Sequence, residues 1–152
     1  MYGLTAEDLR IRETAREFVD TLIPHEVEAE LGGGQLPKEL TAEHHARAIE
    51  LGLYATNMPA SVGGPGCTAL QQVLVQEQVV WATNALAWVM HTPPQWWVDV
   101  ATDYQRERWL LPAVRGEKHE TYAITEEFAG SDVSALAATA RRDGDEYVIN
   151  GV

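Results

Sequence analysis

The sequence predicts a mainly α fold, in which a helical up-and-down N-terminal domain is followed by the first strands of an incomplete β-domain. Two observations predict it. Up to Lys118, apolar residues recur at helical spacing behind capping residues, and the connections are short. After Lys118, short β-like runs alternate with turn residues. We therefore expect a helical domain over 1–118 and the beginning of a middle β-domain over 119–152.

The first helix is predicted from its N-terminal cap. Thr5 followed by Asp8 resembles a capping box, in which each side chain bonds the backbone amide of the other. One apolar face follows, formed by Ile11, Ala15, Phe18, Val19 and Leu22. We expect this helix to run to about Glu30, with a kink at Pro24.

Two further helices follow. Pro37 suits the first position of the second helix, which we expect to end at Gly52. Thr68 and Gln71 form another capping-box signal and open a third helix. One side of this helix is predicted to be apolar and consists of Leu70, Val73, Leu74, Val80 and Trp81. Glu77 falls on the same side.

The last part of the helical domain is apolar and rich in tryptophan. We expect the segment 82–100 to form a bent helical element of the core. Asp103 is the expected cap of a final helix, which is bent by Pro112 and ends before Gly116. Two glycine clusters, at 32–34 and 63–66, are predicted to be connectors, because no Lys-Ser/Thr pair follows them as a phosphate-binding loop requires.

Three β-like runs are predicted after the boundary, at 122–125, 137–142 and 147–149. The dipeptide at 143–144, Asp-Gly, is a hairpin signal between the last two. An isolated hairpin is only marginally stable, and a sheet needs three or more strands with a covered face. We therefore expect the sequence to stop within the β-domain.

Composition restricts the possible partners. The chain has 152 residues, with 11 Lys and Arg against 23 Asp and Glu, and a net charge of −12. No basic run could attract phosphate backbones or anionic lipid, so we expect neither a nucleic-acid nor a membrane partner. The single Cys67 cannot form an internal disulfide and has no metal-ligand spacing around it. These features favour a cytoplasmic protein without a metal site.

The stretch Tyr122 to Ala135, YAITEEFAGSDVSA, carries the strongest chemical signal. Its Ala-Gly-Ser turn at 129–131 lets main-chain N–H groups converge, and Ser131 adds a hydroxyl donor, which suits a phosphate oxygen or a carbonyl. Thr125 adds another hydroxyl upstream. The carboxylates of the stretch would repel an anion unless they point away, and we expect Asp132 to hold the backbone of the turn.

This stretch resembles the first signature of the acyl-CoA dehydrogenase family, Y-A-I-T-E-x-x-A-G-S-D-x-S, and its surroundings agree. MPASVGGPG is similar to the family's Pro-x-x-x-Gly-Gly-x-Gly loop, LTAEDLRIRETAREFV to its first helix, and DGDEYVINGV to the hairpin after the motif. These landmarks occur in the family's order from Leu4 to Val152. The resemblance covers the family's front portion, the helical N-terminal domain and the opening of the middle β-domain.

The resemblance implies a flavoenzyme that oxidises an acyl-CoA thioester at the Cα–Cβ bond, with FAD as hydride acceptor. The cofactor positions that it implies are Tyr122, Ala123, Ile124, Thr125, Gly130 and Ser131. Main chain at 124–125 and the Thr125 hydroxyl would contact the flavin ring, where donors stabilise the charge gained on reduction. Gly130 and Ser131 would lie by the pyrophosphate.

The resemblance also implies a substrate site. Ser131 would lie close to the acyl-CoA, and one wall of the acyl pocket would be lined by Leu86, Met90 and His91. For His91, a core or capping role at the end of an apolar helix is the alternative. No residue of the chain is assigned as catalytic, because the family's base comes from a C-terminal helical domain that these residues do not include.

Three glutamates of the chain are the local candidates for a catalytic base, and two residues of the motif depart from the family. Glu77, Glu126 and Glu127 are not expected to replace the missing base, because nothing indicates that they reach the proton to be removed. Glu127 and Phe128 depart from the family, which usually has Pro and a small residue there. The added charge and the bulky ring could alter the path of the loop or the entrance for CoA.

The remaining implications concern the whole enzyme. Electron-transfer flavoprotein is the implied electron acceptor, and a homo- or hetero-oligomer is the implied assembly. We expect the 152 residues alone to be catalytically incompetent and not to retain FAD. Two alternatives stay open: a flavin-dependent monooxygenase or nitroalkane oxidase of the same superfamily, and a non-catalytic helical interaction module.

Overall fold

The computed structural model describes residues 3–151 of the chain. These residues form two compact units, one ending at His119 and the other beginning at Glu120. The first unit is built from helices, and the second contains a two-stranded sheet. The predicted fold class, mainly α with the first strands of a β-domain, is confirmed.

Helix α1 spans Ala6–Leu22 and begins with the predicted capping box. The Asp8 amide donates to the Thr5 hydroxyl oxygen at 3.1 Å, and the Thr5 amide donates to the Asp8 carboxylate at 2.9 Å. The helix ends earlier than predicted. A 3-10 turn at Ile23–His25 contains the proline, and α2 (Glu26–Leu31) follows it. Because proline has no amide hydrogen to donate, the expected kink becomes a break.

Helix α3 spans Lys38–Glu50, and Pro37 occupies the capping position rather than the first helical position. Gly52 follows the helix with a φ of 68°, the left-handed conformation that was predicted there. Helix α4 spans Ala69–Val79 and starts with the second predicted capping box. The starts of these helices were therefore predicted to within one residue.

The buried side of α4 differs from the prediction. Its buried side chains are Gln71, Leu74, Val75 and Gln78, and the helix packs against α1. Of the predicted side, Leu74 is buried, whereas Leu70, Val73, Val80, Trp81 and Glu77 are exposed. The prediction relied on the spacing of apolar residues and was wrong because two glutamines of the helix are buried. The Gln71 side chain is satisfied there, since its oxygen accepts from the Thr68 amide at 2.9 Å.

The segment 82–100 is mostly irregular, contrary to the predicted bent helix. It contains a 3-10 turn at Leu86–Met90 and one short helix, α5 (Trp97–Val100). Asn84 and Ala85 take left-handed backbone conformations with φ of 54° and 56°. Consecutive left-handed residues cannot belong to a right-handed helix, so no continuous helix forms here.

The segment was predicted to lie in the core, but not all of its tryptophans do. Trp88 is 77% exposed and Trp96 is 57% exposed. Met90, by contrast, is buried, and Trp97 is partly buried against a core cluster. The two exposed rings are apolar surface that the helical unit leaves uncovered.

The last helical stretch consists of three consecutive pieces: α6 (Asp103–Gln105), a π-helical turn (Arg106–Leu110) and α7 (Leu111–Val114). Thr102, not Asp103, is its N-terminal cap. Pro112 accounts for the change of winding, because it cannot donate to the carbonyl of Arg108. That carbonyl accepts instead from the Lys118 ammonium at 2.6 Å.

Two clusters of buried side chains form the core of the helical unit. The larger comprises Ala15, Phe18, Val19, Leu22, Ala29, Ala48, Leu53, Val75, Leu86, Ala87 and Met90. The smaller comprises Tyr54, Ala55, Met58, Val62, Leu110 and Val114. The buried hydroxyl of Tyr54 donates to the Ala113 carbonyl at 3.1 Å, so the smaller cluster buries this polar group with a partner.

The glycine cluster at 63–66 is a packed loop rather than a simple connector. The Gly66 amide donates to the Met58 carbonyl at 2.9 Å, and the Gly64 amide donates to the Pro59 carbonyl at 3.2 Å. A Cβ on Gly64 would overlap Met58. Glycine is therefore required at position 64 by a close approach of two backbones.

The second unit contains the predicted hairpin. Strands β1 (Thr139–Asp143) and β2 (Glu146–Asn150) pair antiparallel, with Asp143 opposite Glu146. Gly144 in the turn has a φ of 64°. The strand predicted at 122–125 is not formed, because no neighbouring strand among the described residues pairs with it.

Candidate functional site

The motif stretch 122–135 lies in the second unit and is built around one tight turn. Glu126 and Ala129 exchange two backbone hydrogen bonds of 3.1 and 3.2 Å, which form an isolated bridge. Ala129 is buried, whereas Gly130 and Ser131 beside it are exposed. The bridge thus closes a turn at 126–129, and the exposed Gly130 and Ser131 follow directly after it.

Two carboxylates hold the backbone of the motif. Glu126 accepts from the amides of Ala137 and Ala138 at 2.8 and 2.9 Å. Asp132 accepts from the Ser134 amide at 3.1 Å and also from the Ser134 hydroxyl. Asp132 therefore holds backbone, but at the 3-10 turn Val133–Ala135 and not at the Ala-Gly-Ser turn where it was expected. The contacts of Glu126 with Ala137 and Ala138 were not revealed by the sequence. Amide donors partly compensate both negative charges.

The run Tyr122–Thr125 has open backbone groups. Within residues 3–151, no hydrogen bond joins its amides or carbonyls to another part of the chain. All four residues are exposed, Tyr122 at 70% and Ile124 at 41%. Polar backbone groups need partners once water is displaced, so a run of this kind suits the polar edge of a bound molecule.

The donor set of the motif fits part of an FAD site. The Thr125 and Ser131 hydroxyls have no hydrogen-bond partner among the described residues, so both are available to a ligand. The space beside Gly130 is open, because an added Cβ there would meet no heavy atom within 4 Å. Backbone amides and hydroxyls are donors that suit a flavin edge and a pyrophosphate. The assignment of these six cofactor residues stays a prediction.

The two residues that depart from the family's motif are both exposed. Phe128 is 85% exposed, and Glu127 beside it is exposed as well. Neither takes part in the bridge or in the carboxylate contacts that fix the turn. The departure therefore changes the surface of the loop and not the bonds that hold its backbone.

The predicted acyl-pocket residues belong to the helical unit. Leu86 and Met90 are 8% and 2% exposed and lie in the larger core cluster. His91 lies with its ring centroid 6.4 Å from that of Tyr54 and 6.5 Å from that of His119. Packing thus brings Leu86 and Met90 together, whereas His91 belongs to an aromatic group. Their role in a substrate pocket stays a prediction.

Other reactive groups give no second candidate. Burial, and next the charge of Glu7, raises the pKa of the Cys67 thiol, which makes it a poor nucleophile at neutral pH. Within residues 3–151, no three His, Cys, Asp or Glu side chains are arranged to bind a metal ion. Over the same range, no helix has the length and hydrophobicity that crossing a bilayer requires.

Comparison with known proteins assigns the family. The model of the acyl-CoA dehydrogenase N-terminal domain matches residues 5–117. The chain belongs to the acyl-CoA dehydrogenase family. The match extends from the capping box of α1 to Glu117 and confirms the family that the sequence motifs indicated.

Individual relatives support the same conclusion. The 3-(aryl)acrylate reductase of Clostridium sporogenes is 32% identical over 93% of this chain and 37% of its own length. The caffeyl-CoA reductase-Etf complex subunit CarC of Acetobacterium woodii is 27% identical over 93% of this chain and 38% of its own length. The structure of an acyl-CoA dehydrogenase complexed with FAD from Bacillus anthracis matches with a TM-score of 0.79 and 25% identity, over 98% of this chain and 26% of that chain. The chain therefore spans well under half the length of these relatives.

Proposed function

We propose that this chain supplies the helical N-terminal domain and part of the flavin site of an acyl-CoA dehydrogenase-like oxidoreductase. The proposed reaction is the α,β-dehydrogenation of an acyl-CoA thioester, with the hydride passing to FAD. The observation that carries the proposal is the exposed run Tyr122–Thr125, whose backbone has no hydrogen-bond partner among the described residues, together with the exposed Gly-Ser pair that follows the bridged turn at 126–129. The division into domains 1–118 and 119–152 belongs to the same proposal, and the two compact units support it.

In the proposed site, the chain holds the cofactor through backbone groups and hydroxyls. The cofactor-binding residues are Tyr122, Ala123, Ile124, Thr125, Gly130 and Ser131. FAD supplies the hydride-accepting ring when it is bound. The backbone at 124–125 and the Thr125 hydroxyl donate toward the ring edge and stabilise negative charge there. The Gly130 amide and the Ser131 hydroxyl bind the pyrophosphate.

On the substrate side, Leu86, Met90 and His91 form one wall of the acyl pocket, and Ser131 lies close to the acyl-CoA. The core position of Leu86 and Met90 supports this role, because side chains fixed by packing make a rigid apolar surface. The fit of Ser131 rests on its exposed position and its available hydroxyl.

No residue of this chain acts as the base in the proposal. Glu126 is already hydrogen-bonded to two amides of its own chain, and Glu77 lies on the exposed side of α4. A base must come within hydrogen-bond distance of the α-proton of the substrate. We infer that another part of the enzyme supplies it and that these 152 residues alone are catalytically incompetent.

The second candidate function is that of a reductase that uses the same site. The relatives named above include two reductases, one of them 32% identical over 93% of this chain. In that direction, the Cβ atom of an unsaturated acyl group receives the hydride. The monooxygenase, nitroalkane oxidase and interaction-module alternatives are less well supported, because the matched family and these relatives are dehydrogenases and reductases.

The proposed partners follow from the same assignment. The name of the CarC relative includes an Etf complex, which supports electron-transfer flavoprotein as the electron acceptor. A homo- or hetero-oligomer is proposed for the assembled enzyme. A cytoplasmic location is proposed because the chain has a single cysteine, which cannot form an internal disulfide.

A spectral titration of the protein purified from its intact gene tests the proposal. We expect a saturated acyl-CoA of fitting shape to bleach the oxidised flavin band under anaerobic conditions. The matched control is the same acyl-CoA with two methyl groups on the α-carbon, which has no α-proton to lose and should not bleach it. Reoxidation of the reduced protein by an enoyl-CoA, without bleaching by any saturated thioester, favours the reductase. If no thioester changes the spectrum in either direction, both candidates fail.

A further inference from the structure

A groove of about 700 Å³ lies in the helical unit, between α3 and the irregular segment 84–89. The residues of its lining that matter here are Lys38, His44, His45, Leu86, Trp88 and His119. Volumes of several hundred cubic ångströms are typical of sites for small molecules. Apart from Leu86, none of these residues belongs to the proposed flavin or acyl site.

The charge of the groove is opposite to that of the chain. Its lining includes one lysine and three histidines but no aspartate or glutamate. In the whole chain, by contrast, 23 Asp and Glu residues outnumber 11 Lys and Arg residues. Lys38 is exposed and forms no ion pair with a carboxylate within residues 3–151, so its ammonium group is available to a ligand. Such a site attracts an anion in spite of the net negative charge.

The donors share one face of α3. Lys38, Thr41 and His45 lie at helical spacing, and all of them line the groove. The pKa of His45 is lowered by burial first and then by the charges of His119 and His91. A neutral imidazole still has one N–H to donate, and Lys38 supplies the positive charge. Nε2 of His45 is buried without a hydrogen-bond partner among the described residues.

The other side of the groove is apolar and aromatic. Trp88 lines the groove, yet it is 77% exposed. Leu86 lies two residues earlier in the same 3-10 turn and is buried to 8% exposure. Both side chains line the groove, and the exposed indole ring offers a flat apolar surface on which a second ring can stack. The groove thus combines a cationic side with an aromatic side.

We propose that this groove binds a small aromatic carboxylate, with the carboxylate at Lys38 and the histidines and the ring against Trp88 and Leu86. Charge-assisted hydrogen bonds to a carboxylate are about twice as strong as neutral ones, which favours the acid over uncharged analogues. The proposal does not rest on the flavin function, because no residue of the motif at 122–135 lines the groove.

Calorimetric titration of the 152-residue chain with 3-phenylpropionate and with its neutral amide tests the proposal. We expect the acid to bind about tenfold more tightly than the amide, because only the acid gains the contact with Lys38. The comparison uses the unaltered chain, so it does not depend on the folding of a variant. Equal affinities for acid and amide, or no binding of the acid, would overturn the proposal.

A pair of charge-matched variants locates the site. Lys38→Met should weaken binding of the acid about tenfold and leave binding of the amide unchanged. Arg10→Met removes the same charge from an exposed position on α1 outside the groove, and it should change the affinity by less than about twofold. An equal loss in both variants would show general attraction to the chain and contradict a site at the groove.

Discussion

The helical unit and the hairpin unit differ in what their residues bury. In the helical unit, Leu22, Leu53 and Val75 are completely buried, and two clusters of side chains form a core. In the hairpin, every residue of both strands is exposed, including Ile149 at 78%. A two-stranded sheet with no covered face is only marginally stable. The helical unit therefore carries the stability of the fold, whereas the motif belongs to the hairpin unit.

The largest expected effect comes from a substitution in the core of the helical unit. Leu22→Ala should lower the free energy of unfolding by about 2–5 kcal/mol, because it removes a fully buried side chain from the larger cluster. Urea unfolding followed by far-ultraviolet circular dichroism measures the loss. Ile149→Ala in the hairpin is the matched variant and should change the same quantity by less than about 0.5 kcal/mol. Equal losses would refute the contrast between the units.

A pair of glycines sharpens the contrast. Gly116 and Gly144 have similar φ values of 74° and 64°, so an alanine is strained at either position. A Cβ at Gly116 would also lie 2.6 Å from Ile49 Cδ1, whereas one at Gly144 would meet no atom within 4 Å. We expect Gly116→Ala to destabilise the helical unit by about 2 kcal/mol, as strain and overlap add.

In Gly144→Ala, backbone strain alone lowers the stability, by about 1 kcal/mol, and it acts on the hairpin. The thermal unfolding midpoint of the helical unit should therefore fall in the Gly116→Ala variant and stay close to that of the unaltered chain in the Gly144→Ala variant. A larger fall in the second variant would mean that the hairpin supports the helical core.

A smaller effect concerns the histidines of the helical unit. Burial first, and then the charges of His119 and His91, lowers the pKa of His45. Because the unfolded chain then binds more protons than the folded chain, the stability falls as the pH drops below the ordinary pKa of histidine, about 6.5. His45→Gln should reduce the fall in the unfolding midpoint between about pH 7.5 and pH 5.5. An unchanged pH dependence would rule out His45 as a contributor.

Local signals made much of the helical unit predictable. The two capping boxes and the left-handed Gly52 depend on residues close in sequence, and they were found in place. The buried face of α4 was missed because Gln71 and Gln78 face the core. Their burial depends on hydrogen bonds and on packing against α1, which apolar spacing alone does not encode.

In the candidate site, too, features formed by neighbouring residues were predictable, and features formed by distant residues were not. The motif at 122–135 was recognisable because its residues are contiguous. The role of Glu126 was not, since its carboxylate bonds amides eleven and twelve residues further along the chain. The groove was missed for a similar reason. Lys38 and Trp88 come from distant parts of the sequence, and folding brings both to one groove.

The affinity of the protein for FAD shows whether the motif binds flavin. In the protein purified from its intact gene, the double variant Thr125→Val, Ser131→Ala should bind FAD at least about tenfold more weakly, because two hydroxyl donors are lost. Thr139→Val, which removes a hydroxyl from the exposed strand β1, is the control and should retain the affinity of the unaltered protein. Equal FAD affinity and equal flavin content after gel filtration in all three proteins would contradict a flavin site at this motif.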